Sequence, residues 1–170
     1  GNDLPGAISW YRRASGLRYS EPVMLRLVEA LQAVGDRVAA AEALRAFTAR
    51  WPENTAGMRI AAAFAAEQGN WEASRRWLSA ALDRDGTNDA LLLAQIARAE
   101  LELDNPSSAL AYARRAYRLL PANATISGTY GAALARTGGN RQDAHDLLAK
   151  ARQLAPSDPV LARWQREIAS

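Results

Sequence analysis

The sequence contains no cysteine and only one histidine, His145, among its 170 residues. Without cysteine the chain can form neither a disulfide nor a thiolate metal site, and a lone histidine excludes the usual two-histidine metal site. No phosphate-binding loop, nucleophile elbow or dinucleotide fingerprint is present. An acid–base role for His145 beside Asp143 and Asp146 is less favoured than an exposed position on a helix surface. We therefore predict a protein that is not an enzyme and binds no metal or cofactor.

The chain also has little net charge and no long apolar run. The formal net charge is +3, and Lys150 is the only lysine, so the pI of about 9.7 mostly reflects arginine. A surplus of three charges is too small to predict a nucleic-acid partner. No stretch approaches the roughly 18 apolar residues of a membrane span. Both the bacterial cytoplasm and the periplasm suit a cysteine-free chain, so the location stays open.

Alanine is the abundant residue, with 38 copies. It has the highest helix propensity and loses almost no side-chain entropy when it is buried, so this composition predicts closely packed helices. The arginine and alanine bias is typical of a GC-rich bacterial genome.

Two series of residues recur with a period of 34 or 35. Residues that end helices stand at Pro52, Gly86, Pro121 and Pro156, and each is followed two positions later by a helix-capping side chain: Asn54, Asn88, Asn123 and Asp158. A second series of capping residues keeps the same intervals: Asp36, Asn70, Asn105 and Asn140. Each unit is therefore predicted to be two helices joined by a tight turn.

Small and apolar residues recur at fixed offsets after each cap of the second series. They occupy offsets of 4, 8 and 11, which share one face of a helix: Ala40, Ser74, Ala109, Ala144, Leu44, Leu78, Ala113, Leu148, Phe47, Ala81, Ala116 and Ala151. We expect this face to be the seam between neighbouring helices.

This pattern resembles the tetratricopeptide repeat family. The last unit carries the closest match, in Tyr130, Gly131, Leu134, Gly138, Ala144, Leu148, Ala151 and Pro156. Pentatricopeptide arrays have a similar period, but the spacing of proline and asparagine favours the tetratricopeptide interpretation. The resemblance implies an all-α, right-handed α-solenoid of about ten helices. We expect a partial repeat at 1–20, repeats at 21–54, 55–88, 89–123 and 124–158, and a capping helix at 159–170.

The resemblance also implies a binding surface, because the first helix of each unit lines the concave face in this family. The corresponding residues of this chain are Leu25, Glu29, Arg59, Ala63, Glu67, Leu93, Ala97, Glu100, Gly128, Ala132 and Arg136. Their small apolar side chains would leave room for the bulky groups of a peptide or protein partner, although they could instead only permit close helix packing. The Lys, Asn and Arg cluster with which some members clamp a chaperone's C-terminal carboxylate is missing.

Three functions remain open. The first is a protein-interaction scaffold within a larger bacterial assembly, and the second is a spacer that self-associates or stacks through its N-terminal end. The third is a component of exopolysaccharide export, because the stretch 129–134 is similar to exosortase-associated repeat lipoproteins. Arginine pairs on second helices could form a basic ridge for an anionic polymer, but a solvated face is favoured. We expect the chain to be part of a longer repeat protein.

Overall fold

Ten α-helices and no β-strand form the regular structure of residues 4–17, 20–86 and 88–169, which are the residues that the computed structural model describes. In chain order they are α1 Leu4–Leu17, α2 Glu21–Ala33, α3 Arg37–Arg50, α4 Thr55–Glu67, α5 Trp71–Asp85, α6 Ala90–Glu102, α7 Pro106–Leu119, α8 Ala124–Arg136, α9 Arg141–Leu154 and α10 Pro159–Ala169. Each helix packs on the next, which confirms the predicted all-α solenoid. None of the described helices is long and apolar enough to cross a bilayer.

Side-chain caps start most of the helices. Asn54, Asn70, Asn123 and Asn140 each accept a hydrogen bond from a backbone N–H in the first turn, as the sequence predicts. Such a cap satisfies an N–H group that has no partner inside the helix, and each one stabilises its helix by about 1 kcal/mol. These caps therefore set where the helices of each repeat begin.

One predicted cap is wrong, and a second stands at the predicted place without a capping hydrogen bond. The cap of α6 is Asp89, whose Oδ1 accepts from the N–H of Leu92 at 2.9 Å, and not Asn88. Asn105 stands at the start of α7, but its side chain makes no capping hydrogen bond there. Its Nδ2 donates instead to Oε2 of Glu100 at 3.0 Å. Taking Asn88 as the cap shifts the predicted register of α6 by one residue, so the prediction assigns each of its side chains to a different face of the helix.

The turn inside each repeat needs a residue in the left-handed conformation. Gly35, Gly69 and Gly138 adopt φ values of 77°, 72° and 69°, which a residue without a Cβ reaches at no steric cost. The third turn has no glycine, and Asp104 takes the same conformation with φ 58°. The chain therefore reverses direction in the same way in all four repeats.

The predicted seam is confirmed, because all twelve of its residues are buried. None is more than 6% exposed. Alanine dominates these positions, so the helix axes can approach closely, and the larger Leu44, Leu78, Leu148 and Phe47 fill the space between them. This seam joins the two helices of each repeat.

The first helices of successive repeats are packed unevenly. α6 packs directly on α8, and α8 packs on α10, whereas α4 and α6 make little direct contact. Arg59 is the fifth residue after the cap of α4, and the equivalent position of α8, the fifth after its cap, holds Gly128. Leu161 of α10 lies directly against the backbone at Gly128. A glycine permits this close approach, and an arginine at the same position opens a space between α4 and α6.

Candidate functional site

The space between α4 and α6 is a groove of about 310 Å³ that also reaches the start of α5. We call it the α4–α6 groove and define it by its lining residues: Arg59, Ala62, Ala63, Ala66, Glu67, Trp71, Ser74, Leu78, Gln95 and Arg98. The middle of its wall on α4 consists of alanines, of which Ala63 is exposed and Ala66 half-buried, and Arg59 and Glu67 stand on either side of them. Trp71 begins α5, and Gln95 and Arg98 come from α6. The groove therefore combines an apolar wall with a polar one.

Arg59 lies at one end of the groove and joins three helices. Its Nη2 donates to Oδ2 of Asp85 at 2.9 Å and to Oδ2 of Asp89 at 2.7 Å. Burial alone would lower the pKa of Arg59, but the two carboxylates outweigh it and raise that pKa. Burial alone would raise the pKa of Asp89, but hydrogen bonds from the N–H of Leu92 and from Arg59 lower it. This network ties the end of α5 and the start of α6 to α4.

The lowered pKa of Asp89 predicts a loss of stability in acid. The carboxylate stabilises the folded chain above its unfolded pKa of about 4, and this contribution is lost as the pH falls through the lower folded pKa. In Asp89→Asn the helix cap is kept and the charge is removed. Because Asp89 is one-third exposed, we expect the free energy of unfolding of wild type to exceed that of this variant by about 1 kcal/mol or less at pH 7. The difference should close as the pH falls through the lowered folded pKa of Asp89.

Urea unfolding at a series of pH values measures this difference. The matched control is Asp83→Asn, which removes an exposed carboxylate from α5 that forms no ion pair with the described residues. A gap between wild type and Asp89→Asn that stays constant from pH 7 to strong acid would contradict the assignment.

Arg98 and Trp71 form the polar wall of the groove. The guanidinium carbon of Arg98 lies 5.5 Å from the centre of the Trp71 ring, within the range of a cation–π interaction. The Nε atom of Arg98 is buried and has no hydrogen-bond partner among the described residues. Unlike Arg59, Arg98 forms no ion pair with a described carboxylate. The groove therefore holds one neutralised arginine and one arginine that is not neutralised.

The structure brings together the three predicted residues of α4 and separates them from those of α2. Arg59, Ala63 and Glu67 all line the α4–α6 groove. Leu25 is half-buried against the core formed by α2, α3 and α4. Glu29 accepts a hydrogen bond from Nη1 of Arg26 at 2.8 Å. The two α2 residues therefore lie outside this groove.

The three predicted residues of α6 lie in the interior. Leu93 and Ala97 are 0% exposed, because they occupy the register of the buried Met58 and Ala62 on α4. Glu100 is 5% exposed and accepts the hydrogen bond from Asn105 described above. Leu93 and Ala97 follow Asn88 at the intervals at which Arg59 and Ala63 follow Asn54, but the observed cap, Asp89, moves both of them to the buried face. None of the three lines an open surface.

The predicted residues of α8 lie beneath or beside the last helix. Gly128 and Ala132 are buried against Leu161 and Trp164 of α10. Arg136 donates to the carbonyl oxygen of Leu101 and to Oε2 of Glu167, both at 2.8 Å. Gly128 and Ala132 therefore accommodate a helix of this chain, and the hollow of about 320 Å³ that remains beside Arg136 is bordered by Trp164 and Glu167 of α10.

Sequence reasoning missed three residues of the groove: Trp71, Gln95 and Arg98. Arg98 is the ninth residue after the cap of α6, and Ala63 is the ninth after the cap of α4, so the two are equivalent. Choosing Asp89 as the cap, from the same sequence, would have placed Arg98 in the groove.

The arrangement supports recognition by charge, hydrogen bonding and apolar contact. The described residues contain no group of three or more histidine, aspartate or glutamate side chains placed to hold a metal ion. The lining of the groove contains amide, hydroxyl, carboxylate and guanidinium groups beside alanine and tryptophan. Such a mixture is typical of a surface that binds a peptide.

Comparison with known proteins gives a family-model match over part of the chain and a shared fold. The sequence profile of the tetratricopeptide repeat matches residues 25–89. No curated protein is similar enough in sequence to count as a relative.

Three solved structures illustrate the likeness in fold. The APC/C hetero-tetramer Cut9-Hcn1 contains a chain 14% identical to this one, with a TM-score of 0.77; the match covers 99% of this chain but only 34% of that one. TTC0263, a thermophilic TPR protein of Thermus thermophilus, is 20% identical, with a TM-score of 0.64 and 98% and 90% of the two chains covered. YrrB, described as a TPR protein with an unusual peptide-binding site, is 15% identical, with a TM-score of 0.73 and 93% and 81% covered.

The matched segment begins in α2 and ends at the cap of α6, so it includes most of the α4–α6 groove. The helices on either side of it continue the same fold. Residues 25–89 thus match the tetratricopeptide repeat model, and the chain shares the fold of solved tetratricopeptide repeat proteins.

Proposed function

We propose that this protein is a non-enzymatic scaffold that binds a segment of a partner protein in the α4–α6 groove. The observation that carries the proposal is the difference between two equivalent spaces. A hollow of about 320 Å³ also lies between α8 and α10, but there Ala132 is buried against α10 and Arg136 is paired with Glu167. Between α4 and α6 the equivalent Ala63 is exposed, and the helices make little direct contact. A volume of about 310 Å³ accommodates the side chains of a short peptide. Exposed Ala63 and half-buried Ala66 allow the peptide backbone to approach α4.

The family supports the same class of function. YrrB, which shares the fold, is described as having a peptide-binding site. We extend peptide binding to this chain as a proposal, together with membership of a larger bacterial assembly, which rests on the arginine and alanine composition. The exopolysaccharide setting has the same compositional basis and no support from the groove.

An arginine at position 63 tests the site of binding. Ala63 is exposed on the wall of the groove, so Ala63→Arg is expected to fill the groove without disturbing the core. We expect partner binding to weaken about tenfold or more, because the new side chain occupies the volume of the peptide. Titration calorimetry with a partner segment isolated by selection on the full chain measures the loss.

The matched control is Ala111→Arg, which introduces the same side chain at an exposed position of α7, outside the groove. Circular dichroism of both variants verifies that they are folded. If both variants bound the partner as tightly as wild type does, the groove would not be the binding surface.

A second candidate function, self-association, has its own observation at the N-terminal end. Trp10 on α1 is 60% exposed, whereas Trp77 is half-buried and Trp164 is 2% exposed. Beside Trp10 lies a hollow of about 800 Å³ that also borders Val23 of α2. An exposed tryptophan next to an open hollow is typical of a contact surface.

Light scattering tests self-association. If Trp10 mediates it, the full chain is expected to show a mass above the monomer that rises with concentration, and Trp10→Gln should shift the population toward the monomer. Val38→Gln, which replaces an exposed apolar side chain of α3, is the control. A monomeric mass at every concentration would remove this candidate.

A further inference from the structure

We propose that the α4–α6 groove recognises a peptide segment with an acidic side chain, and that Arg98 is the residue that pairs with it. This inference rests on the proposed function and adds the chemistry of the partner. It starts from the fact that Arg98 lines an open groove with no described carboxylate bound to it, although its Nε is buried. The guanidinium charge of Arg98 has no described carboxylate to neutralise it, and a ligand carboxylate that reaches its terminal nitrogens would do so.

The side chain of Arg98 is held in a position suited to that role. The Trp71 ring lies within cation–π range of its guanidinium group, and this attraction favours the rotamers that keep the two together. A guanidinium held in this way can donate two parallel hydrogen bonds to one carboxylate. Because less motion is lost on binding, the pair gains more affinity than a free surface arginine would provide. Arg98 and Trp71 together therefore form a preorganised site for a carboxylate.

The equivalent cleft at the C-terminal end shows what these positions do when both partners belong to the chain. There Arg136, the thirteenth residue after the cap of α8, binds Glu167 at 2.8 Å. Glu167 is the ninth residue after Asp158, whose side chain caps α10. In the α4–α6 groove the same two positions hold Glu67 and Arg98, with the charges exchanged, and these two form no ion pair with each other. The two charged residues therefore form an ion pair in the C-terminal cleft and remain unpaired with each other in the α4–α6 groove.

The remaining charges narrow the choice of partner. Arg59 is already neutralised by Asp85 and Asp89, so Arg98 is the cation available among the described residues that line the groove. Glu67 lies on the opposite wall and repels a continuous run of acidic residues. The small side chains of α4 accept apolar groups. We therefore expect one acidic residue with apolar neighbours, and not a polyacidic tail.

Selection from a random linear peptide library displayed on phage, with the full chain as bait, tests the inference. Selected sequences are expected to be enriched in a single aspartate or glutamate beside apolar residues. For a synthetic peptide of the consensus sequence, fluorescence anisotropy is expected to show binding at least about tenfold weaker to Arg98→Met than to wild type. Arg114→Met, at an exposed position of α7, is the matched control and should bind as wild type does.

A second variant separates charge recognition from packing. Changing the acidic residue of the peptide to its amide should weaken binding to wild type by a similar factor and should have little effect on binding to Arg98→Met. If Arg98→Met weakened binding of the acidic peptide and of its amide form to the same extent as each other, Arg98 would have a structural role. That result would overturn the inference. Thermal unfolding of Arg98→Met verifies that the variant is folded.

The outcomes distinguish this inference from the proposed function. If neutral peptides bound wild type but not Ala63→Arg, the groove would be supported as the binding site, and the specificity for an acidic residue would be overturned. Acidic peptides that bind Arg98→Met as well as wild type would also overturn the role of Arg98. Failure to select any peptide, or binding that Ala63→Arg leaves unchanged, would overturn both the site and its specificity.

Discussion

Replacing Gly131 with leucine is expected to lower the free energy of unfolding by about 3 kcal/mol. Gly131 lies on α8 where that helix is closest to α9. A Cβ atom at this position would lie 3.0 Å from the carbonyl oxygen of Ala144 and 3.1 Å from both Leu147 and Leu148. The carbonyl belongs to the backbone of α9, so the two helices must separate to admit a larger side chain. The seam of the last repeat would then lose its packing.

Gly131→Ala should cost less than leucine, about 1 kcal/mol, because the higher helix propensity of alanine partly offsets the clash. Ala111→Leu adds a leucine at an exposed position of α7 and controls for the side chain itself. Urea unfolding, monitored by circular dichroism, measures the free energy of unfolding of Gly131→Leu, Gly131→Ala and Ala111→Leu. If Gly131→Leu unfolded at the same urea concentration as wild type, α8 and α9 would not be packed as closely as described.

Replacing Trp164 with alanine is expected to detach the last helix, with a local cost of about 3–5 kcal/mol. Trp164 is 2% exposed and packs with Ala97, Leu101, Ala132 and Leu161 in one core cluster. Its removal leaves a cavity that a helix of 11 residues with few other buried side chains cannot compensate. Because each repeat of a solenoid contacts only its neighbours, we expect the loss to stay at this end.

Hydrogen exchange measures this local effect. Protection should fall in α10 and in the face of α8 that it covers, while α2 to α5 keep the wild-type rates. Trp164→Phe is the control: it keeps most of the packing and removes an indole N–H that has no hydrogen-bond partner among the described residues. A uniform loss of protection along the whole chain would contradict a local capping role.

The helices and their turns could be predicted from the sequence because their causes are local. Asn54 and Asn70 cap the helix that follows them through hydrogen bonds to residues three positions away. Gly35 and Gly138 adopt the left-handed turn for reasons that lie in their own backbone. The buried seam was also predictable, since its residues share one face of each second helix. None of these inferences requires knowledge of how far apart the repeats lie.

The binding residues of α6 could not be predicted as reliably, because one residue of register rotates a helix face by about 100°. Asn88 and Asp89 are both good capping residues, and local chemistry does not separate them. The choice of Asn88 put Leu93 and Ala97 on the open face and Arg98 off it. The structure places the first two in the core and Arg98 in the groove. The specificity that we propose depends on this one-residue difference in the register of α6, because it determines whether Arg98 faces the groove.

What the sequence determined by itself is the repeat: the caps, the turns, and an alanine content that lets helices pack closely. Only the tertiary structure decided which small residues are covered. Ala63 borders an open groove, whereas Ala132 and Gly128 accept the side chains of α10. The physical reason is that a small residue permits close approach without specifying what approaches. That depends on the distance between helices, which Arg59 and its two carboxylates set at one site and the fit of Leu161 and Trp164 sets at the other.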